Sequence, residues 1–516
     1  MNNNSRISNS VKNISFGLLT QVTQMILGFV SRTIFIQYLA IEYLGVNGLF
    51  TSILTMLSLA ELGISSAILY ALYKPLAEKS EEKIAALVRF FKKVYLVIAG
   101  IVAFLGLCVL PFLTQIVDNP PPQLASDLHV IYLLFLFNTV ASYFFYYKIS
   151  LFQADQKGYV ISKRNIVVFI IQNSLQILSL VLFQNFLLYL SIQLVCQLGG
   201  NLYLSQLVKK HYPFLSQYKN SEVEKEVKDQ IWSNLKSTAL VKIGGLLVNN
   251  TSNIVLNYFS GLKSVGLLSN YTLLIGLASG LIMQVFASLT GSIANVNVKE
   301  PLEKKREIFN IVNFANFWVY GLASICFIVL VNDFITVWIG HSFTLSFDVV
   351  LILALNFYMV GMQNAVWTFK GTFGLFKYGR WLVIGTAIIN VALSFLLGSY
   401  FGLFGILLSM AIARAVTNSW YDPYIVFTLE LKLNAKDYFI KYFKYLVVLL
   451  FILGMLFGIS HWIAFEGLGG LLFKLFLCLV ITNLVIYLIY KNTAEMKYLV
   501  YVAQGILQNA KEKFKK

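Results

Sequence analysis

Charged residues are scarce in this chain. They make up 12% of its 516 residues, whereas hydrophobic residues make up 58%. A soluble domain carries roughly 25% charged residues, so this chain has too few to cover the surface of a soluble protein. The composition therefore excludes a soluble globular fold and predicts an integral membrane protein.

Cysteine and histidine are also rare, with four residues of each. Cys108, Cys196, Cys326 and Cys478 lie far apart in apolar stretches and form no CxxC pair, which argues against a disulfide framework. The histidines are equally scattered and indicate no metal site. We therefore predict neither a bound metal nor a cofactor.

Long apolar stretches dominate what is present. About fourteen of them reach the roughly 20 residues that a membrane-spanning helix needs. The longest interval between them, residues 209–236, is too short for a catalytic domain. We therefore predict an all-α integral membrane protein of about fourteen transmembrane helices. One of them is predicted as a single helix over 46–70, with Glu61 well inside it.

Basic residues mark every second gap between the apolar stretches. Of the 40 Lys and Arg residues, 35 lie in these alternate gaps, Arg164 among them, and only Lys263 lies in an opposite loop. Cytoplasmic loops are enriched in Lys and Arg, so both termini are predicted to be cytoplasmic. The net charge of +17 then reflects topology and contact with anionic lipid, and we expect no nucleic-acid binding.

A weak internal repeat divides the chain. Residues 41–46 (IEYLGV) precede the second span, and 262–267 (LKSVGL) precede the eighth. Parallel repeats of this kind occur in transporters, with the site between the halves. The predicted division is two pseudo-symmetric six-helix lobes at 1–208 and 237–429, a cytoplasmic linker with an amphipathic helix at 209–236, two further spans at 430–490 and a basic amphipathic tail at 491–516.

The amphipathic segments are 222–235 in the linker and 495–514 in the tail. In the linker, Val223, Val227 and Ile231 share one helical face. Such helices lie on lipid headgroups or form a regulatory surface, and we expect the first.

A few ionisable residues remain inside predicted spans, where charge is costly and usually faces a bundle interior or a water-filled cavity. Arg32, Lys242 and Arg414 are the candidates for a cationic substrate-binding cavity, since the planar fork of Arg suits phosphate. Arg32 and Lys242 also lie near enough to span ends to snorkel. Glu61 is the acid placed deepest in a span.

Amide side chains supply the remaining candidates for the cavity lining. Asn250, Asn253 and Asn257 share one helical face, which suits a hydrated lining, although amides also hydrogen-bond helices to one another. Gln24 and Asn364 lie in other polar spans and complete this set.

Several runs resemble a known family of membrane proteins. Residues 32–36 (RTIFI), 42–50 (EYLGVNGLF), 59–64 (LAELGI) and 72–77 (LYKPLA) closely resemble bacterial oligosaccharide flippases of the Wzx type. These flippases belong to the multidrug, oligosaccharidyl-lipid and polysaccharide exporter superfamily. The resemblance is specific over residues 1–165 and collinear beyond them, with 153–164 and 401–406 also fitting.

This resemblance implies that the substrate is an undecaprenyl-diphosphate-linked oligosaccharide. It implies alternating access across the bacterial cytoplasmic membrane for lipopolysaccharide or capsule assembly, alongside a polysaccharide polymerase and other assembly proteins. It also implies coupling to a proton or sodium gradient, for which Glu61 is the candidate group.

Two alternatives differ in class from a flippase. One is a cation-coupled exporter of small molecules or drugs from the same superfamily. The other is a membrane polysaccharide polymerase, which the short outer loops without paired carboxylates disfavour. We therefore predict that the protein is not an enzyme.

Overall fold

The computed structural model describes residues 3–61, 64–117, 120–218, 221–460 and 467–514. All regular elements in these residues are helical. Eleven helices among them are long and apolar enough to cross a membrane. The protein is therefore an all-α, multi-pass membrane protein, as predicted, whereas the count of fourteen spans and the cytoplasmic termini stay predictions.

The chain divides into two compact units, Met1–Ser269 and Asn270–Lys516. The helices of the first unit are α1 Asn3–Tyr38, α2 Ile41–Leu57, α3 Ile64–Glu78, α4 Glu81–Val109, α5 Leu113–Ile116, α6 Pro122–Ala154, α7 Gly158–Phe183, α8 Phe186–His211 and the first part of α9 Lys225–Lys299. The second unit holds the rest of α9 and then α10 Leu302–Ile339, α11 Phe347–Thr372, α12 Arg380–Ala415, α13 Asn418–Ile425, α14 Ala435–Ser460, α15 Gly467–Tyr490 and α16 Ala494–Phe514.

Two of the long helices each contain one glycine break. Gly261 of α9 has φ 72° and ψ 174°, and Gly402 of α12 has φ 53° and ψ −131°. Glycine adopts positive φ without a Cβ clash, so each glycine lets the chain change direction. Gly261 lies between the predicted spans 237–259 and 266–295, whereas Gly402 is the first residue of the predicted span 402–429.

The second predicted span is not one helix. Helix α2 ends at Leu57, residues Ser58–Glu61 form a tight 3₁₀ turn, and α3 begins at Ile64. The Ser58 hydroxyl donates to the Leu54 carbonyl over 2.8 Å, a local bond that competes with regular helix hydrogen bonding. The single-helix prediction is therefore wrong here, and Glu61 lies at a helix break.

The two copies of the sequence repeat touch each other inside the first unit. A Cβ on Gly45 would overlap the carbonyl oxygen of Leu262, and a Cβ on Gly266 would overlap that of Ile41. Gly45 matches Gly266 in the repeat, and Ile41 matches Leu262, so the contact is reciprocal. Reciprocal pairing of matched residues is the mark of a two-fold relation. The two repeat segments therefore cross at close range at Gly45 and Gly266.

The apolar face of the amphipathic linker packs against the rest of the first unit. Val223 and Ile231 are buried in the core of the first unit, with Val227 packed beside them. The Arg89 guanidinium donates to the backbone carbonyls of Tyr218 and Ser221. We expected this face to lie on headgroups, but burial against α3 and α4 removes the same apolar area from water. Predicted lobe boundaries within the chain stay predictions.

Candidate functional site

A cavity of about 870 Å³ lies in the first unit among α1, α2, α6, α7 and α8. This volume is within the range of ligand-binding sites. Its polar lining consists of amides, hydroxyls and phenols, from Gln24, Asn47, Thr51, Thr55, Ser58, Asn138, Thr139, Ser142, Tyr143, Tyr146, Ser150, Gln153, Asn165, Gln193, Gln197 and Asn201. Glu61 supplies the acid of this lining and Arg164 the cation.

Glu61 is positioned by the turn between α2 and α3. The Tyr143 hydroxyl of α6 makes side-chain hydrogen bonds with both Ser58 and Glu61. Tyr146, one turn later on α6, interacts electrostatically with Glu61 and with Arg164. A carboxyl group held by phenols in a polar cavity can take up and release a proton or attract a small cation, and intramembrane acids commonly mark ion pathways.

Arg164 is held by the α7–α8 pair. Its Nη1 donates to Asn165 Oδ1 over 2.8 Å, and its Nη2 donates to the Gln197 carbonyl over 3.0 Å and to Asn201 Oδ1 over 2.9 Å. The side chain crosses α8 at Gly200, where a Cβ would overlap the guanidinium. The glycine therefore makes the space in which this cation lies.

Arg164 does not stand out in the sequence as a site residue, because it follows Lys163 in a basic gap. Helix α7 begins at Gly158, so Arg164 lies well inside the helix and faces the cavity rather than the loop. A small-residue pair on the next span, Gly199 and Gly200, was the available signal for a large side chain from α7.

A chain of amides extends from Arg164 into the unit. Gln197 Nε2 donates to Gln172 Oε1 over 3.0 Å, and Gln172 Nε2 donates to Gln176 Oε1 over 3.3 Å. Gln176 Nε2 then donates to the Tyr189 carbonyl over 3.1 Å. Gln172 and Gln176 are both buried. Buried polar networks of this kind hold their members rigidly when satisfied, so the cavity wall at Arg164 is preorganised.

The predicted residues of the first unit fall in different places. Gln24 and Glu61 both line the cavity. Arg32 does not line it: its Nη1 donates to Ser269 Oγ over 2.9 Å, and its guanidinium lies near Tyr189. Lys242 lies on α9, and its side chain falls outside the described residues.

The predicted asparagine face of α9 is engaged with protein. Asn253 Nδ2 donates to Ser52 Oγ over 3.0 Å, and Asn257 Nδ2 donates to the Ile116 carbonyl. Asn250 bonds the Leu246 carbonyl of its own helix over 3.0 Å. The bonds of Asn253 and Asn257 attach the first part of α9 to the rest of the first unit, while a role of the asparagine face in a hydrated lining stays a prediction.

Arg414 lies at a helix end in the second unit. It is half-buried in the last turn of α12, the chain turns at Val416–Thr417, and α13 begins at Asn418. The sequence predicts one continuous span over 402–429 with Arg414 near its middle, and this break corrects that prediction. The negative end of a helix dipole stabilises a cation, which suits Arg at this place. Asn364 on α11 is half-buried, and its side-chain nitrogen has no hydrogen-bond partner among the described residues.

The second unit also contains an ion pair that the sequence does not reveal. Lys370 Nζ lies 2.6 Å from Asp422 Oδ1, with side-chain exposures of 15% and 6%. The Trp367 indole donates to the other carboxylate oxygen over 3.0 Å. Asp422 stands beside Pro423 in the sequence, and the structure gives it a charged partner on α11.

Breaking this pair is expected to destabilise the protein strongly. Asp422→Asn leaves the partly buried Lys370 without a counter-charge, which costs up to about 3–5 kcal/mol, and the double variant Lys370→Met/Asp422→Leu should recover most of that loss. Thermal unfolding in detergent checks both. Glu307→Gln is the matched control, because it breaks an exposed pair of 2.9 Å that contributes about 1 kcal/mol or less. Equal losses for the two single variants would contradict the prediction.

Among the described residues, no group of three His, Cys, Asp or Glu side chains could hold a metal ion.

The chain is similar to known proteins in sequence and in fold. A family model described as "polysaccharide biosynthesis protein" matches residues 10–290, which include the whole cavity lining. No curated protein matches the chain in sequence.

Several solved structures share the fold. The lipid II flippase MurJ, in an inward closed conformation, has a TM-score of 0.65 at 14% identity over 93% of this chain and 99% of that one. An inward-facing multidrug resistance MATE transporter of the MOP superfamily has a TM-score of 0.60 at 12% identity over 80% and 95%. The MATE transporter VcmN of Vibrio cholerae has 0.52 at 13% identity over 83% and 98%. At these identities the likeness shows the fold of MOP-superfamily transporters.

Proposed function

Because the chain belongs to the polysaccharide biosynthesis protein family, we propose that it flips undecaprenyl-diphosphate-linked oligosaccharide repeat units across the bacterial cytoplasmic membrane. The units would move from the inner to the outer leaflet for assembly of a surface polysaccharide such as lipopolysaccharide or capsule. The fold shared with the lipid II flippase MurJ supports a lipid-linked substrate.

The observation that carries this proposal is the polar cavity inside a membrane-spanning unit. Its amides and hydroxyls can replace the water around sugar hydroxyl groups, whereas the lipid core offers no such partners and makes unsatisfied polar groups costly. A channel for an apolar substrate would not need this lining. The oligosaccharide would cross within protein while its lipid tail stays in the bilayer.

In this proposal the charged residues have two roles, ion coupling and binding of the diphosphate. Glu61 takes up and releases the coupling ion, a proton or sodium, in step with alternating access. Arg32, Lys242 and Arg414 are assigned to the diphosphate, since Arg in particular forms paired hydrogen bonds with phosphate oxygens. Arg164 joins this set because it lines the polar cavity.

A cation-coupled exporter of small molecules is the second candidate function. The acid in the cavity, Glu61, and the fold shared with the MATE transporters favour it. Export of cationic dyes from cells that express the chain tests this alternative directly. Dye export without any change in lipid-linked oligosaccharide would support the exporter over the flippase.

The decisive experiment measures lipid-linked oligosaccharide in a deletion strain, with its sidedness tested by a membrane-impermeant probe. We expect accumulation on the cytoplasmic face, reversed by the wild-type gene. Unchanged lipid-linked oligosaccharide and intact surface polysaccharide in the deletion strain would overturn the proposed function. Arg414→Ala and Arg32→Ala, at matched membrane levels, are expected not to reverse the accumulation.

Replacing Arg164 tests the cavity itself. Arg164→Lys keeps the charge but cannot reach Asn165, Asn201 and the Gln197 carbonyl together. Losing one or two charged hydrogen bonds of about 1.5–3 kcal/mol each should slow transport by at least roughly tenfold. Arg380→Lys is the control, because Arg380 is exposed at the start of α12. Wild-type flipping by Arg164→Lys at equal expression would remove Arg164 from the site.

A further inference from the structure

A second hollow, a groove of about 620 Å³, lies between α7 and α8. Helix α7 lines it from Tyr159 to Ile171, and α8 lines it from Cys196 to His211. At 1.5 Å per residue the α7 side is about 18 Å long. One leaflet contributes about half of the roughly 30 Å hydrocarbon core of a bilayer, so the groove is about as long as one leaflet is thick.

The walls of the groove are apolar and exposed. Val167, Ile171 and Tyr203 are 55%, 49% and 54% exposed. Gly199 opens the floor, since a Cβ there would meet nothing within 4 Å. The protein is membrane-spanning, so exposed apolar walls at this depth contact lipid chains rather than water. The missing side chain at Gly199 makes a depression into which one chain fits.

Positive charge is concentrated at one end of the groove. Lys163 is exposed there, with its Nζ 4.7 Å from the centre of the Phe16 ring and 5.7 Å from that of Tyr159. Lys12 Nζ lies 5.5 Å from the same Tyr159 ring, and His211 closes the end on α8. The groove lining contains no acid, and within the described part of the chain Lys163 forms no ion pair.

We propose that this groove binds one anionic phospholipid of the leaflet at the Lys163 end. An acyl chain lies along Val167, Ile171 and Gly199, and the lipid phosphate binds Lys163. We infer an anionic headgroup because Lys163 and Lys12 lie at this end of the groove and the groove lining contains no acid. The length of one leaflet favours an acyl chain over a long polyprenyl chain.

The site adjoins the cavity without being part of it. Arg164 and Val168 line both spaces and form the wall between them. A lipid in the groove covers the α8 surface at Gly199 and Gly200, beside the point where Arg164 crosses. Occupancy is therefore expected to stabilise the α7–α8 pair, whatever substrate the cavity takes.

The test is lipid binding to the purified full-length protein in detergent. Native mass spectrometry counts retained dioleoyl-phosphatidylglycerol or dioleoyl-phosphatidylcholine, and thermal unfolding measures stabilisation by each. We expect phosphatidylglycerol to be retained and to raise the Tm more than phosphatidylcholine does. Inorganic phosphate at the same concentration should raise the Tm little, because it has no chain to fill the groove.

Two variants separate the headgroup from the chain. A basic residue near anionic lipid contributes about 1 kcal/mol to binding. Lys163→Gln should therefore weaken phosphatidylglycerol binding roughly fivefold and should leave the binding of phosphatidylcholine unchanged. Gly199→Leu fills the groove and should reduce retention of both lipids. The open space at Gly199 makes this change compatible with folding, which a monodisperse elution profile verifies.

The controls lie elsewhere in the first unit. Lys92→Gln removes the charge of an exposed lysine on α4. Gly100→Leu adds a side chain at an exposed glycine of the same helix, where a Cβ would meet nothing within 4 Å. Both should bind the two lipids like the wild type. Equal retention of phosphatidylglycerol by wild type, Lys163→Gln and Gly199→Leu would overturn the site, as would full stabilisation by inorganic phosphate alone.

Discussion

Replacing Glu61 with glutamine is expected to abolish gradient-driven transport while the protein remains inserted and folded. Glutamine keeps the size of the side chain and can still bond the Tyr143 hydroxyl, but it cannot bind and release a proton or neutralise a cation. Loss of a charged hydrogen bond alone is worth about 1.5–3 kcal/mol, so flipping should fall at least roughly tenfold. Inverted membrane vesicles with an imposed proton or sodium gradient provide the measurement.

The control for this variant is Glu78→Gln. Glu78 lies on α3 in an exposed contact of 3.9 Å with Lys74. The Glu78→Gln variant therefore removes one negative charge, as Glu61→Gln does, at a place outside the cavity. It should transport like the wild type. If Glu61→Gln responds fully to the imposed gradient, the coupling role belongs to another residue, even if the flippase proposal holds.

A Gly45→Ala variant is expected to be among the most damaging small substitutions in the chain. Its added methyl group would overlap the carbonyl oxygen of Leu262, and a backbone atom cannot rotate away as a side chain can. Overpacking typically costs about 1–3 kcal/mol, which should lower the Tm in detergent and the amount of protein inserted. Gly266→Ala meets the carbonyl oxygen of Ile41 and should behave in the same way.

The double variant is informative because both glycines belong to one crossing. Residues in contact do not contribute independently to stability, so Gly45→Ala/Gly266→Ala should lose less than the sum of the single losses. Gly28→Ala on α1 is the control, since a Cβ there meets nothing within 4 Å. A wild-type Tm for Gly45→Ala would contradict the close crossing of the repeat segments.

The membrane-spanning character could be predicted from the sequence because it depends on the hydropathy summed over each stretch of roughly 20 residues. This sum requires no knowledge of neighbouring helices. The importance of Glu61 was also visible, since a buried acid is costly wherever its span packs.

The grouping of the polar residues was not predictable in this way. Arg32 and Arg164 look alike in the sequence as basic residues near span ends, yet Arg164 lines the cavity and Arg32 bonds Ser269. The difference comes from α8, where Gly200 leaves room for the Arg164 guanidinium. Which side chain enters a cavity depends on how the facing helix packs against it, and the order of residues along the chain does not give that packing.

Sequence alone thus determined that the protein is a multi-pass helical membrane protein, and it singled out Glu61 and Gln24. Tertiary structure decided that these two share a cavity with Arg164 and that Asp422 pairs with Lys370. It also decided that the repeat copies cross at Gly45 and Gly266. The physical reason is that lipid exposure acts on each segment separately, whereas hydrogen bonds, ion pairs and close backbone contacts need partners that only packing brings together.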